Sequence, residues 1–172
     1  MDRRFVMPAA SALALCVTNT ACTNLEKQFV GNWLGVTFDD GVDFYNLPYS
    51  YSDTEDGITY TYTGNFFLQV QEDGRAAFGS YYEYSSSEGA SDRDEYLASG
   101  DWERGSGREF LLSIAQDGDA DDLDMNCTLE AGNDDLTCNF QLSFFSYSYS
   151  GGSYSLEEET RDVILELRRD LE

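Results

Sequence analysis

Hydrophobic and polar residues alternate along most of the chain beyond residue 28. In residues 58–63, one isoleucine and two tyrosines take every second position with threonines between them; Gly64-Asn65 is then predicted to turn the chain, and residues 66–70 alternate again. Side chains of a β-strand point alternately to its two faces, so this period of two predicts strands with one apolar face. Asp73-Gly74 separates two such runs and is typical of a tight hairpin turn. The pattern therefore predicts an antiparallel meander.

Short alternating runs with turn signals between them recur to the end of the chain. This repetition predicts an all-β protein, an antiparallel meander that closes into a barrel of about eight or nine strands, with a β-sandwich as the alternative. The residues predicted to face inward are mostly large: Ile58, Tyr60, Tyr62, Phe66, Leu68, Val70, Phe78, Tyr82, Trp102, Phe110, Leu112, Ile114, Leu123, Met125, Leu129, Leu136, Phe140, Leu142, Phe144, Val163, Leu165 and Leu167. About eight strands enclose a space that such side chains fill, so we expect a mostly filled barrel.

The first strand is predicted at residues 29–35, which include one of only two tryptophans. Gly31-Asn32-Trp33 resembles the Gly-x-Trp signature on the first strand of lipocalins and their calycin relatives. The resemblance implies a lipocalin-like barrel in which Trp33 plugs the closed end. It also implies that an arginine near the last strand, Arg168 or Arg169, packs across that tryptophan. Residues 39–57 are polar and acidic and are predicted to be the longest loop.

The hairpin around Cys127 and Cys138 is specified by one register. If the two cysteines are cross-strand partners, Leu129 meets Leu136, Met125 meets Phe140 and Leu123 meets Leu142, while polar residues oppose each other on the other face. One register then satisfies both faces, so it predicts a Cys127–Cys138 disulfide and a four-residue turn at 131–134. An even cysteine pair of this kind fits an oxidising compartment.

The N-terminus predicts export. Residues 1–21 have the arginines and short apolar stretch of a signal peptide, which is too short to span a bilayer. Ala21-Cys22 resembles the processing site of bacterial lipoproteins, in which the cysteine carries lipid; Cys16 is the alternative site, and ordinary secretion is the alternative route. We therefore expect a signal at 1–21, a tether at 22–28 with lipid on Cys22, and a single β-barrel domain at 29–172.

Composition narrows the function. The chain carries 33 acidic residues against ten basic ones and has a net charge of −23, so nucleic acids and anionic lipid surfaces would repel it. It has no histidine, which removes Ser-His-Asp schemes and imidazole zinc sites. No cofactor and no catalytic residue is indicated. Asp117, Asp119 and Asp121 form a weak calcium candidate, for which a solvated hairpin tip is the favoured alternative.

Alternating tyrosines occur in two serine-rich segments, at Tyr49 and Tyr51 and again at Tyr147, Tyr149 and Tyr154. On strands they would form flat aromatic strips at the barrel rim, able to stack on sugars or to contact a partner protein. The alternative is a strand extension beyond the rim whose tyrosines cover one another.

Three functions remain as hypotheses. The first is a membrane-anchored envelope lipoprotein whose barrel binds or displays an envelope protein or glycan without catalysis. The second is a lipocalin-type carrier of a small apolar ligand, which needs an open interior cavity. The third is a carboxylate enzyme acting on polysaccharide, which needs two acids at the separation that glycoside hydrolysis requires.

Overall fold

The fold was described from a computed structural model that covers residues 25–116, 122–150 and 153–171. Within these ranges the chain forms ten β-strands, preceded by one helical turn at residues 25–29. The strands are β1 Gly31–Asp39, β2 Phe44–Asn46, β3 Tyr49–Glu55, β4 Ile58–Val70, β5 Arg75–Ser86, β6 Ser91–Arg104, β7 Glu109–Ile114, β8 Leu123–Leu129, β9 Asp135–Ser150 and β10 Ser153–Arg169.

Eight of these strands close into an antiparallel barrel, which confirms the predicted fold class. Consecutive strands from β4 to β10 are neighbours, and β1 pairs with β10 on one side and with β4 on the other. The strands β2 and β3 lie outside the ring, beside β1 and β4 respectively. The barrel is compatible with a lipocalin-like fold.

The barrel interior holds the apolar core. Alternate positions along β7 and β8 are buried, because their side chains point into the ring. Fully buried side chains include Leu68, Phe110, Leu129, Leu136, Leu165 and Leu167. Most of the residues predicted to face inward are therefore in the core, whereas Ile58, Tyr60, Tyr62 and Tyr82 lie beyond it at the open end.

The closed end of the barrel is covered by the helical turn, not by an earlier start of β1. The prediction of a strand from residue 29 is wrong there, since Phe29 ends the helix and β1 begins at Gly31. Phe29 is fully buried and stacks on Phe110 with ring centroids 3.9 Å apart. Apolar burial thus holds these residues on the barrel, and residues 25–28 of the predicted tether are helical.

Trp33 lies at the centre of this closed end. It is fully buried, and its indole N–H donates to the Phe29 carbonyl at 3.0 Å. The Arg169 guanidinium lies 4.3 Å from the Trp33 ring centroid and donates to the backbone oxygens of Val30 and Gln28. Gly31 has φ +143°, and a Cβ there would lie 2.6 Å from the Arg169 Nη1, so the arginine needs a glycine at this position.

Arg168 occupies a different place from its neighbour. It points outward and donates to the Asp135 carboxylate at 2.9 Å, with both side chains more than half exposed. Strand periodicity explains the difference, because successive residues on β10 face opposite sides of the sheet. Of the two arginines proposed to pack across Trp33, Arg169 does so and Arg168 does not.

The β8–β9 hairpin has the predicted register around its disulfide. Cys127 and Cys138 are cross-strand partners with Cα atoms 4.0 Å apart, and Leu129 pairs with Leu136. The ladder ends at Asn126 and Asn139, so the predicted pairs of Met125 with Phe140 and Leu123 with Leu142 are not formed. Here β8 follows β7 to its end near the rim, while β9 continues far beyond it beside β10.

Several strands extend beyond the barrel rim. The predicted loop at 39–57 was wrong, because β2 and β3 occupy much of it and β3 pairs with the outer half of β4. The strand β6 begins at Ser91 and pairs with β7 only over Gly100–Arg104. The outer halves of β4, β5 and β6 therefore form, with β3, a four-stranded sheet that projects from the mouth; we call it the upper sheet (residues 49–64 and 80–98).

Candidate functional site: a tyrosine face at the barrel mouth

The upper sheet carries tyrosines on the face that continues the barrel interior. Cross-strand pairing brings Tyr51 opposite Tyr62, Tyr62 opposite Tyr84, and Tyr82 opposite Gly64. We call this surface the tyrosine face, and its members are Tyr49, Tyr51, Tyr60, Tyr62, Tyr82 and Tyr84. Alternation along each strand places all six on one side, in the same phase as Phe66 and Leu68 of the core.

The rings of the tyrosine face contact one another across the strands. The centroids of Tyr51 and Tyr62 are 4.8 Å apart, and those of Tyr62 and Tyr82 are 5.8 Å apart, with both pairs stacked. Tyr60 stacks on Tyr84 at 6.2 Å. These contacts hold the rings in place, yet Tyr51 and Tyr82 are each 44% exposed, so their outer surfaces remain available to a ligand.

The opposite face of the same strands has a different chemistry. It carries threonine and serine hydroxyls that bond across β3 and β4, as between Ser52 and Thr61 at 3.0 Å and between Thr54 and Thr59 at 3.1 Å. Such a polar face is typical of a sheet surface in water. The aromatic residues of the upper sheet are thus concentrated on the side that faces the mouth.

Two members of the tyrosine face, Tyr62 and Tyr82, have a raised pKa. The hydrogen bond between the Tyr51 and Tyr82 hydroxyls, whose oxygens are 3.5 Å apart, together with burial raises the pKa of Tyr82 to about 12. Burial, reinforced by the neighbouring acidic groups of Tyr51 and Asp53, raises the pKa of Tyr62. The hydroxyls of Tyr62 and Tyr82 are therefore neutral at physiological pH.

Carboxylates border the tyrosine face at both edges of the upper sheet. Asp53 on β3 is the cross-strand neighbour of Tyr60, while on β6 Asp94 is opposite Tyr82 and Asp92 is opposite Tyr84. The first carboxylate is three strands away from the other two, or about 14 Å at the usual strand spacing. Within the described ranges, none of the three forms an ion pair with an arginine or lysine.

The other side of the mouth is fixed by a buried ion pair. Arg161 on β10 donates to Asp40 at 2.8 Å and to Glu159 at 2.9 Å, and its guanidinium lies 4.8 Å from the Phe144 ring centroid. The backbone amide of Asp43, opposed by burial and helped by Arg161, holds the pKa of Asp40 below its usual value. Asp40 is 5% exposed, so this network joins the end of β1 to the β9–β10 ribbon and leaves Arg161 already paired.

Below the mouth the barrel interior contains a small apolar cavity. Its volume is about 180 Å³, and Phe66, Phe78, Ala98, Leu123 and Leu142 are among its lining residues. Drug-sized ligands need pockets of about 300 Å³ or more. The cavity adjoins the tyrosine face through Tyr96 and Ala98 on β6, so it extends the mouth as a shallow apolar recess.

Comparisons with known sequences and structures found no relative from which a function could be inferred. No family model, curated protein or solved structure matches the chain. No helix in the described part of the chain has the length and apolar character needed to cross a membrane. The tyrosine face is therefore the feature on which a function has to be argued.

The remaining predicted residues are placed as follows. Tyr49 and Tyr51 lie on β3 within the tyrosine face. The backbones of Tyr147, Tyr149 and Tyr154 lie in the β9–β10 ribbon beyond the rim, while their side chains fall outside the described part. The Cys22 lipid site and the calcium candidate Asp117, Asp119 and Asp121 also lie outside the described residues, among which no cluster able to hold a metal ion is found.

Two parts of the site were not foreseen from the sequence. Tyr62 and Tyr82 were predicted to fill the barrel, and Asp92 and Asp94 of β6 were not singled out. The turn predicted at Gly64-Asn65 is wrong, since β4 runs unbroken from Ile58 to Val70, more than twice the length of β7. The available signal was that residues 58–63 and 66–70 keep one phase across Gly64-Asn65. A strand of that length extends beyond a barrel whose other wall is only six residues long, so the residues at its outer end are exposed.

Proposed function

We propose that the protein is an exported lipoprotein, anchored through Cys22, whose barrel binds an envelope component at the tyrosine face and performs no catalysis. The observation that carries the proposal is the tyrosine face itself. Six ordered tyrosine rings share one side of a sheet, partly exposed, and a polar hydroxyl surface occupies the other side. Aromatic rings of this kind offer large contact areas with little loss of side-chain entropy, as in protein recognition surfaces.

The fold supports an orientation for the anchored protein. The helical turn at 25–29 packs against the closed end, only three residues after Cys22. Three residues span at most about 10 Å, so a lipid on that cysteine would hold the closed end at the membrane. The tyrosine face, at the opposite end of the barrel, would then point away from the bilayer toward its partners.

The interior supports binding at the surface over carriage inside the barrel. The apolar cavity of about 180 Å³ is smaller than carriers of drug-sized ligands require. Two larger clefts, of about 590 and 640 Å³, lie along β8 and are lined mostly by outward-facing residues such as Asp124, Asn126 and Gln141. Carriage inside the barrel would need the core to open, and its members Leu68, Phe110 and Leu165 are almost fully buried. A binding surface at the mouth requires no such change.

Lipid attachment is tested by labelling growing cells with a clickable palmitate analogue. The wild-type chain and a Cys16→Ala variant should incorporate label, and a Cys22→Ala variant should not. Labelling that depends on Cys16, or an unmodified secreted N-terminus in mass spectrometry, would contradict the anchoring at Cys22.

Binding is tested with the Cys22→Ser chain, which lacks the proposed lipid acceptor, on envelopes isolated from the cells that produce the protein. Replacing Tyr51, Tyr62 and Tyr82 by serine should abolish its retention, and the single Tyr51→Ser variant on the outer strand should weaken it. The matched control is Thr59→Ala with Thr61→Ala on the hydroxyl face, which should leave retention unchanged. Retention that is equal in all variants refutes the proposal.

A further inference from the structure

Among the described residues, no strand pairs with one edge of β6 next to the tyrosine face, and we call this the free edge. Over residues 91–98 it pairs with β5 on one side, and on the other side no backbone group of the described chain bonds to it. The first contact on that side is at Ser99, whose carbonyl accepts from the Ala115 amide at 3.0 Å. An unpaired strand edge presents N–H and C=O groups that can bind an added strand.

Four consecutive residues of this edge, 92–95, are charged, and strand alternation divides them between the two faces of the sheet. Asp92 and Asp94 point to the tyrosine face, where they are the cross-strand neighbours of Tyr84 and Tyr82. Two residues along a strand span about 6.8 Å, so the two carboxylates are placed for side chains at alternate positions of a partner strand.

On the outer face of β5 and β6, a tyrosine and a carboxylate that are cross-strand partners bind an arginine side chain. There Tyr81 and Glu95 are cross-strand partners, and the Arg93 guanidinium lies 4.2 Å from the Tyr81 ring centroid and 3.6 Å from the Glu95 carboxylate. The ring face and the carboxylate together attract the cation. On the inner face the pairs Tyr82–Asp94 and Tyr84–Asp92 repeat this arrangement, and no described arginine or lysine lies over them.

We propose that the free edge of β6 takes up an extended basic segment of a partner protein as an added antiparallel strand. Two alternate arginine or lysine side chains of that segment lie over Tyr82 and Tyr84 and pair with Asp94 and Asp92. The inference rests on the proposed function and names the partner's chemistry: the backbone of β6 supplies the hydrogen bonds, and the tyrosine and aspartate pairs select the positive charge.

Charge decides against a second copy of the chain as the occupant. Antiparallel pairing of two β6 edges would bring aspartates of one copy close to those of the other, and like charges opposite each other destabilise a sheet. The net charge of −23 adds a repulsion between copies that a basic partner converts into attraction. A basic strand is therefore the occupant that this edge favours.

The residues further along β6 set the rest of the recognition pattern. Tyr96 and Ala98 are the next positions on the tyrosine-face side, and both line the apolar cavity of about 180 Å³. A partner strand running antiparallel would place two apolar side chains at this recess before its two basic ones. The expected segment thus reads apolar, x, apolar, x, basic, x, basic, where x faces the outer side.

The test uses a synthetic nine-residue peptide made of threonine, with valine at the second and fourth positions and arginine at the sixth and eighth. A control peptide of the same composition has its two arginines adjacent, which sends one of them to the outer face. Fluorescence anisotropy on the Cys22→Ser chain should show that the alternate peptide binds at least about tenfold more tightly than the control, because only it offers both cations to the tyrosine face.

Matched variants locate the contact. Asp92→Asn with Asp94→Asn should weaken binding of the alternate peptide by about tenfold or more, whereas Glu83→Gln with Glu95→Gln should change it by less than about twofold. Both double variants remove two negative charges from exposed positions on β5 and β6, so they share the change in net charge and differ in the face they alter. Circular dichroism checks that both remain folded.

Equal weakening by the two double variants, equal binding of the two peptides, or no binding of either peptide overturns the proposal. These failures are separable from failure of the proposed function. If serine substitutions on the tyrosine face still abolish envelope retention while neither peptide binds, the tyrosine face is a binding surface and the basic partner strand is wrong. If retention is also unchanged, both inferences are wrong.

Discussion

Phe29 provides the sharpest test of how the barrel is closed, because it lies on the helical turn and not on any strand. Its side chain is fully buried, stacked on Phe110 at 3.9 Å and edge-on to Trp102 at 5.2 Å. Truncation of a core phenylalanine to alanine costs about 3 to 5 kcal/mol through reduced burial and the cavity left behind. Because alanine also cannot pack against these two aromatic rings, we expect Phe29→Ala to lower the free energy of unfolding by about 4 kcal/mol.

Urea unfolding followed by tryptophan fluorescence measures this loss, and the residue's own neighbours report it. With a slope of about 2 kcal/mol per molar urea, the midpoint should fall by about 2 M. Should the alanine variant fail to fold, Phe29→Leu keeps most of the volume and should cost less than about 1.5 kcal/mol. The matched control is Phe44→Ala on β2, where the side chain is 61% exposed and the expected change is below about 0.5 kcal/mol.

A loss below about 1 kcal/mol for Phe29→Ala would refute the reasoning, since it would mean that the helical turn lies outside the cooperative fold. The barrel would then be closed by Trp33 and Arg169 alone, as the sequence first indicated. The orientation proposed for the anchored protein would lose its support as well, because it depends on a helix held at the closed end.

Three further predictions concern stability. Reducing the Cys127–Cys138 disulfide should lower the free energy of unfolding by about 3 kcal/mol, and labelling of either thiol in the native protein without reduction would contradict the bond. Gly100→Ala should cost at least about 2 kcal/mol in urea unfolding, because its Cβ would clash with the Ser113 carbonyl oxygen on β7, whereas Gly132→Ala meets no atom within 4 Å and should be nearly neutral; equal costs would contradict the packing. The pKa of Tyr82 is raised to about 12 from an unfolded value near 10, so its contribution is complete below pH 10 and is lost as the pH rises to about 12; Tyr82→Phe should reduce this alkaline loss in urea unfolding, and an identical loss in both proteins would contradict it.

The part of the fold that could be predicted from sequence is the part governed by local alternation. The phase of residues 66–70 and of β7 identified core side chains correctly, since a residue between two polar neighbours has one face to occupy. The disulfide register followed from matching both faces of one hairpin at Cys127 and Cys138. Each of these features depends on residues close together in the sequence.

The features that were missed depend on where a strand loses its neighbour. Residues 58–63 and 66–70 alternate in the same phase, so the pattern cannot show that β1 stops pairing with β4 at Phe67. For the same reason the pairing of Met125 with Phe140 was expected and is not formed. The helical turn was missed because residues 25–29 are too short for a period to be read, and Phe29 and Val30 continue the apolar pattern of the strand that follows.

The mismatch in strand length also explains why a surface suited to binding arises on this barrel. The β7 strand has six residues and β8 has seven, whereas β4, β5 and β6 have 13, 12 and 14. Inward-facing residues opposite the short wall pack against partners across the ring and are buried. The same inward phase continues along β4, β5 and β6 beyond the ends of β7 and β8. Large side chains there have no described partner across the ring, so one side of each is exposed. A tyrosine suits that position because its ring can stack on its neighbours while its hydroxyl reaches water. The tyrosine face is thus the barrel's own core pattern extended beyond the height at which the barrel can cover it.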